Sequence, residues 1–295
     1  MKVPVFEGSC TALITPFTPD GIDLERLKKL LDFQAERGTK AIVLAGTTGE
    51  AATLSDREFE LLTISGIRHA DGRMKIIIGI GGNDTAHCLE KARFAENSGA
   101  DAVLMTTPYY NKTTQSGLVD HFAYVADRIS VPLILYNVPS RTSIGIGAES
   151  YAALAAHPNV NGVKEASGDF SLISRITAEC GDSLNLWCGS DDQTVPMMAL
   201  GAKGVISVAS NVLPEIMARI CTLCLEESFF QASALCDEYA SFIRTLFIET
   251  NPIPLKAAMS ILGLDSGLLR LPLVTMSDAG RASLLKEMER IGLFP

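Results

Sequence analysis

Eight short apolar segments, separated by amphipathic stretches, constrain the fold more than any other feature of the chain. Each is rich in Val, Ile, Leu or Ala, and continuous apolar runs of this length are typical of strands that are buried on both faces of a parallel sheet. The segments are S-C-T-A-L-I-T (9–15), A-I-V-L-A-G (41–46), K-I-I-I-G-I-G (75–81), A-V-L-M-T-T (102–107), P-L-I-L-Y-N-V (132–138), N-G-V-K-E-A (161–166), L-N-L-W-C-G-S (184–190) and G-V-I-S-V-A-S (204–210).

The stretches between these segments carry helix signals. Residues 24–38 and 85–99 are amphipathic and end at a glycine, S-D-R-E (55–58) is a capping box, and residues 116–129 form a fourth helical pattern. Alternating strands and helices with right-handed crossovers produce a parallel sheet. Eight repeats favour a closed (β/α)8 (TIM) barrel of the α/β class over an open doubly wound sheet, which remains the alternative.

The strand signals stop after residue 212. Residues 214–249, 252–262 and 277–291 have the composition of helices, and no linker separates them from the preceding part. We therefore expect a catalytic barrel over residues 1–225 and a helical C-terminal extension over residues 226–295 that packs on the barrel.

Composition limits the classes of partner. The chain has 295 residues, of which 47% are hydrophobic, and its formal charge is −9. An acidic chain lacks the basic surface that nucleic acid or an anionic membrane requires, so we expect neither partner. M-K-V-P-V-F-E-G has no apolar signal core and no run approaches a membrane span, which favours a cytoplasmic location.

Metal and cofactor motifs are weak. Cys221 and Cys224 form a C-x-x-C within an apolar helical stretch, and the seven cysteines show no framework, so reduced thiols are expected. The four histidines have no ligand spacing, and we expect no metal. G-I-G-G-N (79–83) lacks the G-x-G-x-x-G spacing of a dinucleotide site.

Chemically capable side chains follow five of the eight predicted strands. They lie in G-T-T-G-E (46–50), P-Y-Y-N (108–111), Y-N-V-P-S-R-T (136–142), at Lys164, and in G-S-D-D (189–192). Each has a plain structural alternative, such as a turn, a core or interface aromatic, or a surface ion pair. Their collection at the carboxyl ends of the strands favours an active site, since barrels of this kind build their sites there.

Lys164 is the most unusual of these residues because it lies in a small, mostly apolar strand, V-N-G-V-K-E-A-S-G (160–168). Lysine is rarely buried without a task, although a structural role is the alternative. Desolvation favours a neutral amine, which can attack a ketone or aldehyde and form an imine. Tyr136 is a candidate acid–base group, and the hydroxyl and backbone N–H groups of Thr47 and Thr48 suit a substrate carboxylate. Gly162 and Ala166 are expected to leave room for that substrate.

Taken together, these motifs resemble the pyruvate-dependent class I aldolase family, which includes N-acetylneuraminate lyase and dihydrodipicolinate synthase. The resemblance extends from E-G-S-C-T-A-L-I-T-P-F (7–17) to N-P-I-P-L-K-A-A (251–258) and R-L-P-L (270–273). It implies a TIM barrel, no cofactor beyond a covalent imine with substrate pyruvate, and a homotetramer built as a dimer of dimers.

The resemblance also implies residue roles. Lys164 would form the imine and Tyr136 would move protons, in a relay with Thr47 and with Tyr110 from a neighbouring subunit. Substrate binding would involve Thr48, Gly189, the backbone of Ile206, and Arg141, which would hold the carboxylate of L-aspartate 4-semialdehyde. Thr47 and Arg141 favour condensation of this aldehyde with pyruvate in lysine and diaminopimelate synthesis. A lyase for N-acetylneuraminate or another sugar-derived 2-oxo acid is the alternative, and a silent metabolite-binding barrel is a third possibility.

Asn83, His87 and Tyr109 occupy positions of a lysine effector site in feedback-inhibited relatives, and of these Asn83 and Tyr109 match the site. Such relatives often carry an acidic residue at the position of His87 and a histidine at that of Phe59. A carboxylate would pair with the ammonium of lysine, whereas His87 cannot. We therefore expect a vestigial effector site and weak or absent inhibition by lysine.

Overall fold

A closed barrel of eight parallel strands forms the body of the protein in the computed structural model, which describes residues 2–294. β1 pairs with both β4 and β10, so the sheet has no open edge and the predicted (β/α)8 barrel is confirmed. A short antiparallel hairpin, β2–β3, follows β1 and was not predicted. The strands are β1 (Gly8–Ala12), β2 (Phe17–Thr18), β3 (Gly21–Ile22), β4 (Ala41–Leu44), β5 (Lys75–Gly79), β6 (Ala102–Thr106), β7 (Leu133–Asn137), β8 (Val160–Glu165), β9 (Asn185–Cys188) and β10 (Gly204–Ser207).

Helices follow the barrel strands and continue after the last of them. The predicted capping box is present at the start of α2, where the Ser55 hydroxyl accepts from Glu58 N and the Glu58 carboxylate accepts from Ser55 N. The helices are α1 (Leu24–Ala35), α2 (Asp56–Ala70), α3 (Thr85–Asn97), α4 (Gln115–Ala126), α5 (Pro139–Thr142), α6 (Ala148–Ala155), α7 (Phe170–Cys180), α8 (Thr194–Ala199), α9 (Pro214–Leu225), α10 (Phe229–Thr245), α11 (Ile253–Ile261) and α12 (Asp278–Arg290).

Helix boundaries differ from the pattern in two places. α1 ends at Ala35 rather than at Gly38, which lies beyond it with a positive φ of 85°. Residues 214–249 form two helices, α9 and α10, because the chain turns at Glu227, whose φ is 59°. Hydrophobic periodicity alone does not locate such a turn, since both helices have apolar faces.

Large side chains fill the inside of the barrel near its amino-terminal end. Trp187 on β9 is fully buried and stacks on Phe6 with ring centroids 5.1 Å apart. A Cβ on Gly162 would lie 2.6 Å from the Trp187 ring and 2.3 Å from the Asn185 carbonyl oxygen. The expectation that Gly162 leaves room for substrate is therefore wrong, because the neighbouring tryptophan fills that space.

The helices after β10 pack on one another and on the barrel. α10 contacts α9 and α12, and α11 contacts α12. The division at residues 225 and 226 stays a prediction. None of the helices between residues 2 and 294 combines the length and the hydrophobicity that a membrane span needs.

Candidate active site

Lys164 and Tyr136 are direct cross-strand partners inside the barrel. The parallel register pairs them between β7 and β8, and both side chains point inward, with residue exposures of only 5% and 7%. The Lys164 ammonium lies 4.4 Å from the centroid of the Tyr136 ring. Within residues 2–294, no carboxylate forms an ion pair with Lys164, and its amine contacts the face of the Tyr136 ring.

Gly189, at the end of β9, makes space for the lysine. A Cβ at this position would lie 3.1 Å from Lys164 Cε and 2.7 Å from Ala166 Cβ. Because both distances are shorter than ordinary contacts, a larger residue would push against the Lys164 side chain. The predicted site residue Gly189 is thus adjacent to Lys164, and its lack of a side chain leaves space for the Lys164 side chain.

A cavity of about 490 Å³ opens at the carboxyl ends of the strands. Tyr136 lies on its wall, so the cavity reaches the ring against which Lys164 is packed. Active sites at this end of the barrel are typical of the fold. Among the predicted site residues, those on the wall are Thr47, Asn83, His87, Tyr109, Tyr136 and Arg141.

The turn after β4 positions the two threonines differently. Thr47 is partly buried and lines the cavity, whereas Thr48 is buried and its hydroxyl oxygen accepts a hydrogen bond of 2.9 Å from Asn251 Nδ2. This bond leaves the Thr48 O–H free to donate to another group. The turn closes when Gly49 N donates to the Gly46 carbonyl (3.0 Å) and Glu50 N donates to that of Thr47 (3.1 Å).

Arg141 lies on α5, directly after β7. Its guanidinium is exposed, lines the cavity, and donates to the backbone carbonyl of Asn251 at 3.2 Å. Arginine can bind a carboxylate through two parallel hydrogen bonds, so this side chain offers an anion site at the cavity wall. Asn251 therefore contacts both Arg141 and Thr48.

A buried carboxylate, Glu165, fixes the strands that carry Lys164 and Tyr136. It accepts from Asn137 Nδ2 (3.1 and 2.9 Å), from the Tyr151 hydroxyl (2.7 Å) and from Ser167 N (2.7 Å). Burial and the Glu165 charge raise the pKa of Tyr151 well above its usual value, so the phenol remains a donor. This network spans β7 and β8 and stabilises the register that pairs Tyr136 with Lys164.

A second buried carboxylate, Asp191, connects G-S-D-D to the end of β10. It accepts hydrogen bonds from Val208 N (3.0 Å) and Ala209 N (3.1 Å). Burial raises its pKa, and the hydrogen bonds together with the charge of Lys164 oppose that rise. Ile206, which is fully buried on β10, is held in the same region of the barrel interior.

Tyr110 is the predicted catalytic residue that the single chain does not bring to the site. It is 92% exposed and has a φ of 67°, an unusual conformation for a residue with a Cβ. Its neighbour Tyr109 does line the cavity. The strained loop thus points one tyrosine inward and presents the other to the surface.

The predicted effector residues share this cavity with the catalytic ones. Asn83, His87 and Tyr109 lie on its wall, and His87 is placed 3.2 Å from Asp56 and 3.4 Å from Glu90. Phe59 is buried and also borders the cavity.

Sequence reasoning missed the contacts that hold the G-T-T-G-E turn from outside the barrel. The Lys256 ammonium lies 2.6 Å from Glu50 Oε1, and both side chains are fully buried. Asn251 and Arg270 reach the same turn. The available signal for a buried ion pair was Lys256 in the apolar helix I-P-L-K-A-A-M-S-I. Sequence spacing does not identify Glu50 as its partner.

Comparison with known proteins places these features in a family. The model of the dihydrodipicolinate synthetase family matches residues 5–291. A 4-hydroxy-tetrahydrodipicolinate synthase from Thermoanaerobacter sp. (strain X514) is 44% identical over 99% of this chain and 98% of its own length. The structure of dihydrodipicolinate synthase from Aquifex aeolicus superposes with a TM-score of 0.96, at 40% identity over 98% of this chain and 99% of the other.

A dihydrodipicolinate synthase from Acinetobacter baumannii, solved in complex with pyruvate, also has a TM-score of 0.96, with 38% identity over 98% of this chain and 100% of the other. Fold and site together define a (β/α)8 enzyme with a lysine in the barrel interior. The chain belongs to the dihydrodipicolinate synthetase family.

Proposed function

We propose that the chain is a lyase that condenses pyruvate with L-aspartate 4-semialdehyde to give 4-hydroxy-tetrahydrodipicolinate, the reaction for which its curated relatives are named. The observation that carries the proposal is the buried Lys164 amine, which lies against the Tyr136 ring and has no carboxylate partner within residues 2–294. Such an amine is suited to nucleophilic attack on a ketone.

The first half of the reaction forms an enamine. Lys164 Nζ attacks the keto carbon of pyruvate, and loss of water leaves a cationic imine. The imine withdraws electrons, so the methyl group of pyruvate can lose a proton and become the nucleophilic carbon of an enamine. The Tyr136 ring contacts Lys164, and its phenol is placed to move protons in both steps. The imine with substrate takes the place of a separate cofactor.

The carboxylate of pyruvate requires a partner during these steps. Thr48, whose O–H remains available, and Thr47 lie on the turn after β4. Gly189 follows β9 beside Lys164, and Ile206 lies in the barrel interior on β10. Hydroxyl and N–H donors at such a turn can hold a carboxylate in a fixed orientation.

The second half joins the two substrates. The enamine carbon attacks the aldehyde of L-aspartate 4-semialdehyde, whose carboxylate binds Arg141 at the cavity wall. The amine of this substrate then attacks the imine carbon, closes the ring and releases Lys164. The net result is one water lost per pair of substrates, which accounts for every atom.

We further propose that Tyr110 completes a proton relay with Thr47 and Tyr136 in a neighbouring subunit. Its 92% exposure and left-handed backbone suit a side chain that projects into a partner. This arrangement requires at least a dimer, and a homotetramer built as a dimer of dimers is our proposal for the assembly. Complementation between inactive Lys164→Ala and Tyr110→Phe chains would support it.

Inhibition by lysine is proposed to be weak or absent. His87 lies 3.2 Å from Asp56 and 3.4 Å from Glu90 and has no carboxylate of its own to pair with the ammonium of an inhibitor, and Phe59 is buried. Turnover should be insensitive to lysine, and strong inhibition at micromolar to low-millimolar lysine would contradict this. The seven cysteines are free and buried, which supports the proposal of a reducing, cytoplasmic location.

Product analysis tests the proposed reaction. Purified protein is supplied with pyruvate and, in separate reactions, with L-aspartate 4-semialdehyde or with sugar-derived aldehydes such as N-acetylmannosamine. We expect a cyclic product with the first aldehyde only. Efficient carbon–carbon bond formation with a sugar aldehyde would favour the lyase alternative, and none with any aldehyde would overturn both.

A further inference from the structure

A completely buried ion pair lies beside the cavity, whose wall includes Glu50, and the proposed chemistry leaves the pair without a role. Lys256 on α11 faces Glu50 Oε1 at 2.6 Å, and neither side chain has any exposed surface. The ammonium also donates to the Leu268 carbonyl at 2.7 Å and lies 4.3 Å from the Phe17 ring centroid. Burying two charges is costly unless geometry and further hydrogen bonds compensate, so the pair calls for an explanation.

Glu50 is the residue that ends the turn carrying Thr47 and Thr48. It has a φ of 54°, which is unfavourable for a residue with a Cβ and persists only where surrounding contacts hold it. Its second carboxylate oxygen accepts from Arg270 N at 3.0 Å, and its own N–H donates to the Thr47 carbonyl at 3.1 Å. The side chain and backbone of Glu50 therefore connect the ion pair to the turn.

The other contacts on this turn come from the same part of the chain. Asn251 donates to the Thr48 hydroxyl at 2.9 Å, and the Arg270 guanidinium donates to the Thr53 carbonyl at 2.9 Å while pairing with Glu58. Asn251, Lys256 and Arg270 all follow the barrel in sequence. Residues 251–270 therefore contact the turn at Thr48 and Glu50, and they contact the chain just beyond it at Thr53.

We propose that Glu50 and Lys256 are positioning residues, whose buried pair fixes the turn on which Thr47 and Thr48 meet the carboxylate of pyruvate. This inference rests on the proposed function and adds that the segment after residue 250 determines pyruvate affinity without touching the reacting atoms. Neither residue takes part in proton transfer or in bond formation. Loss of the pair lets the turn move, which weakens binding of pyruvate before and during the reaction alike.

The test is a series of variants with steady-state kinetics for each substrate. Glu50→Gln keeps an acceptor for Arg270 N, whereas Glu50→Ala removes it. Glu50→Ala should therefore raise KM for pyruvate more than Glu50→Gln does. A double variant, Glu50→Gln with Lys256→Met, removes both charges and leaves no unpaired ion, which guards against simple failure to fold. Leu284→Ala, in the buried face of α12, is the matched control for general loss of stability in this segment.

We expect Glu50→Ala and the double variant to raise KM for pyruvate about tenfold or more, while KM for the aldehyde changes less than about threefold. Because Thr47 on the same turn belongs to the proposed proton relay, kcat should fall as well. The pyruvate concentration that half-saturates borohydride trapping should rise in parallel, and Leu284→Ala should leave it unchanged. A double variant that folds with the wild-type KM for pyruvate would overturn the inference, as would an equal rise in the control. If wild-type protein forms no pyruvate adduct, the proposed function fails and this inference fails with it. If wild-type protein forms the adduct and the variants keep the wild-type KM for pyruvate, only the positioning role is refuted.

Discussion

Two lysines are buried in the described part of the chain, and the groups that contact their amines differ. Lys164 lies in the barrel interior against an aromatic ring, and within residues 2–294 it has no ion pair. Lys256 lies between the barrel and the C-terminal helices, where it meets a carboxylate and a backbone carbonyl. Burial alone therefore does not distinguish the two amines; the carboxylate partner of Lys256 and the aromatic partner of Lys164 do.

The electrostatics of Lys256 illustrate the structural use of a buried amine. Burial lowers the pKa of this ammonium, while the Glu50 charge and its contact with the ammonium oppose that change. A paired ammonium cannot attack a carbonyl, because its lone pair is protonated. Lys164 instead contacts Tyr136, which lines the cavity.

The largest effect is expected from Lys164→Met. Activity should fall by at least about 10³-fold because the variant lacks the nucleophile. The thermal midpoint should stay the same or rise, since the change removes a buried amine that forms no ion pair among the described residues. Turnover assays and thermal melting measure the two quantities. A variant that retains activity, or whose thermal midpoint falls by as much as that of a core-disrupting variant, would contradict the contrast between the two lysines.

Lys256→Ala should reverse that pattern. Removing one partner of a buried ion pair leaves Glu50 uncompensated, which typically costs about 3–5 kcal/mol of stability. Urea unfolding measures the loss, and the double variant Glu50→Gln with Lys256→Met serves as the control that leaves no unpaired charge. A negligible loss in Lys256→Ala would show that the pair does not stabilise the fold.

Tyr136→Phe sharpens the account of the Lys164 region. The ring that contacts the ammonium is retained, but the phenol that moves protons is lost. We expect kcat to fall about 10²-fold or more, within the range for one general acid–base group, with little change in KM for pyruvate. Trapping of the pyruvate imine at long times should survive. A change in KM alone would assign Tyr136 to binding rather than to proton transfer.

The smallest effect concerns Glu58 and Arg270, next to the Lys256 contacts. The Arg270 guanidinium lowers the pKa of Glu58 to about 2, below its ordinary value of 4.5. Because folding lowers the pKa of Glu58, its ionised carboxylate stabilises the folded state at pH values above about 4.5, the pKa in the unfolded chain. This stabilisation is lost as pH falls from about 4.5 toward 2. Glu58→Gln should cost about 1 kcal/mol at neutral pH, given partial exposure, and the difference should shrink in acid. Urea midpoints across this range measure it; a pH-independent difference would contradict the assignment.

Much of the fold was accessible from sequence because its signals are local. All eight barrel strands coincide with apolar runs, and the capping box at Ser55 is present. Lys164 stood out since a charged residue in an apolar strand conflicts with the simple burial pattern. Its proximity to Tyr136 followed from strand order once the barrel was predicted.

The remaining parts depend on contacts between residues far apart in the chain. Glu50 and Lys256 are separated by about two thirds of the sequence, and no periodicity connects them. Gly162 was assigned to the substrate because the packing of Trp187 against it cannot be read from a single strand. The turn at Glu227 depends on a backbone conformation that a glutamate seldom adopts, so its sequence gives no warning.

The central claim is that Lys164, and not Lys256 or an exposed lysine, forms the covalent intermediate. Borohydride reduction in the presence of pyruvate, followed by peptide mass analysis, tests it directly, with Lys164→Met as the control. We predict a reduced pyruvate adduct on the peptide that contains Lys164, absent from the control and from the Lys256 peptide. Active protein that carries no adduct at Lys164, or carries it at Lys256, would contradict the account.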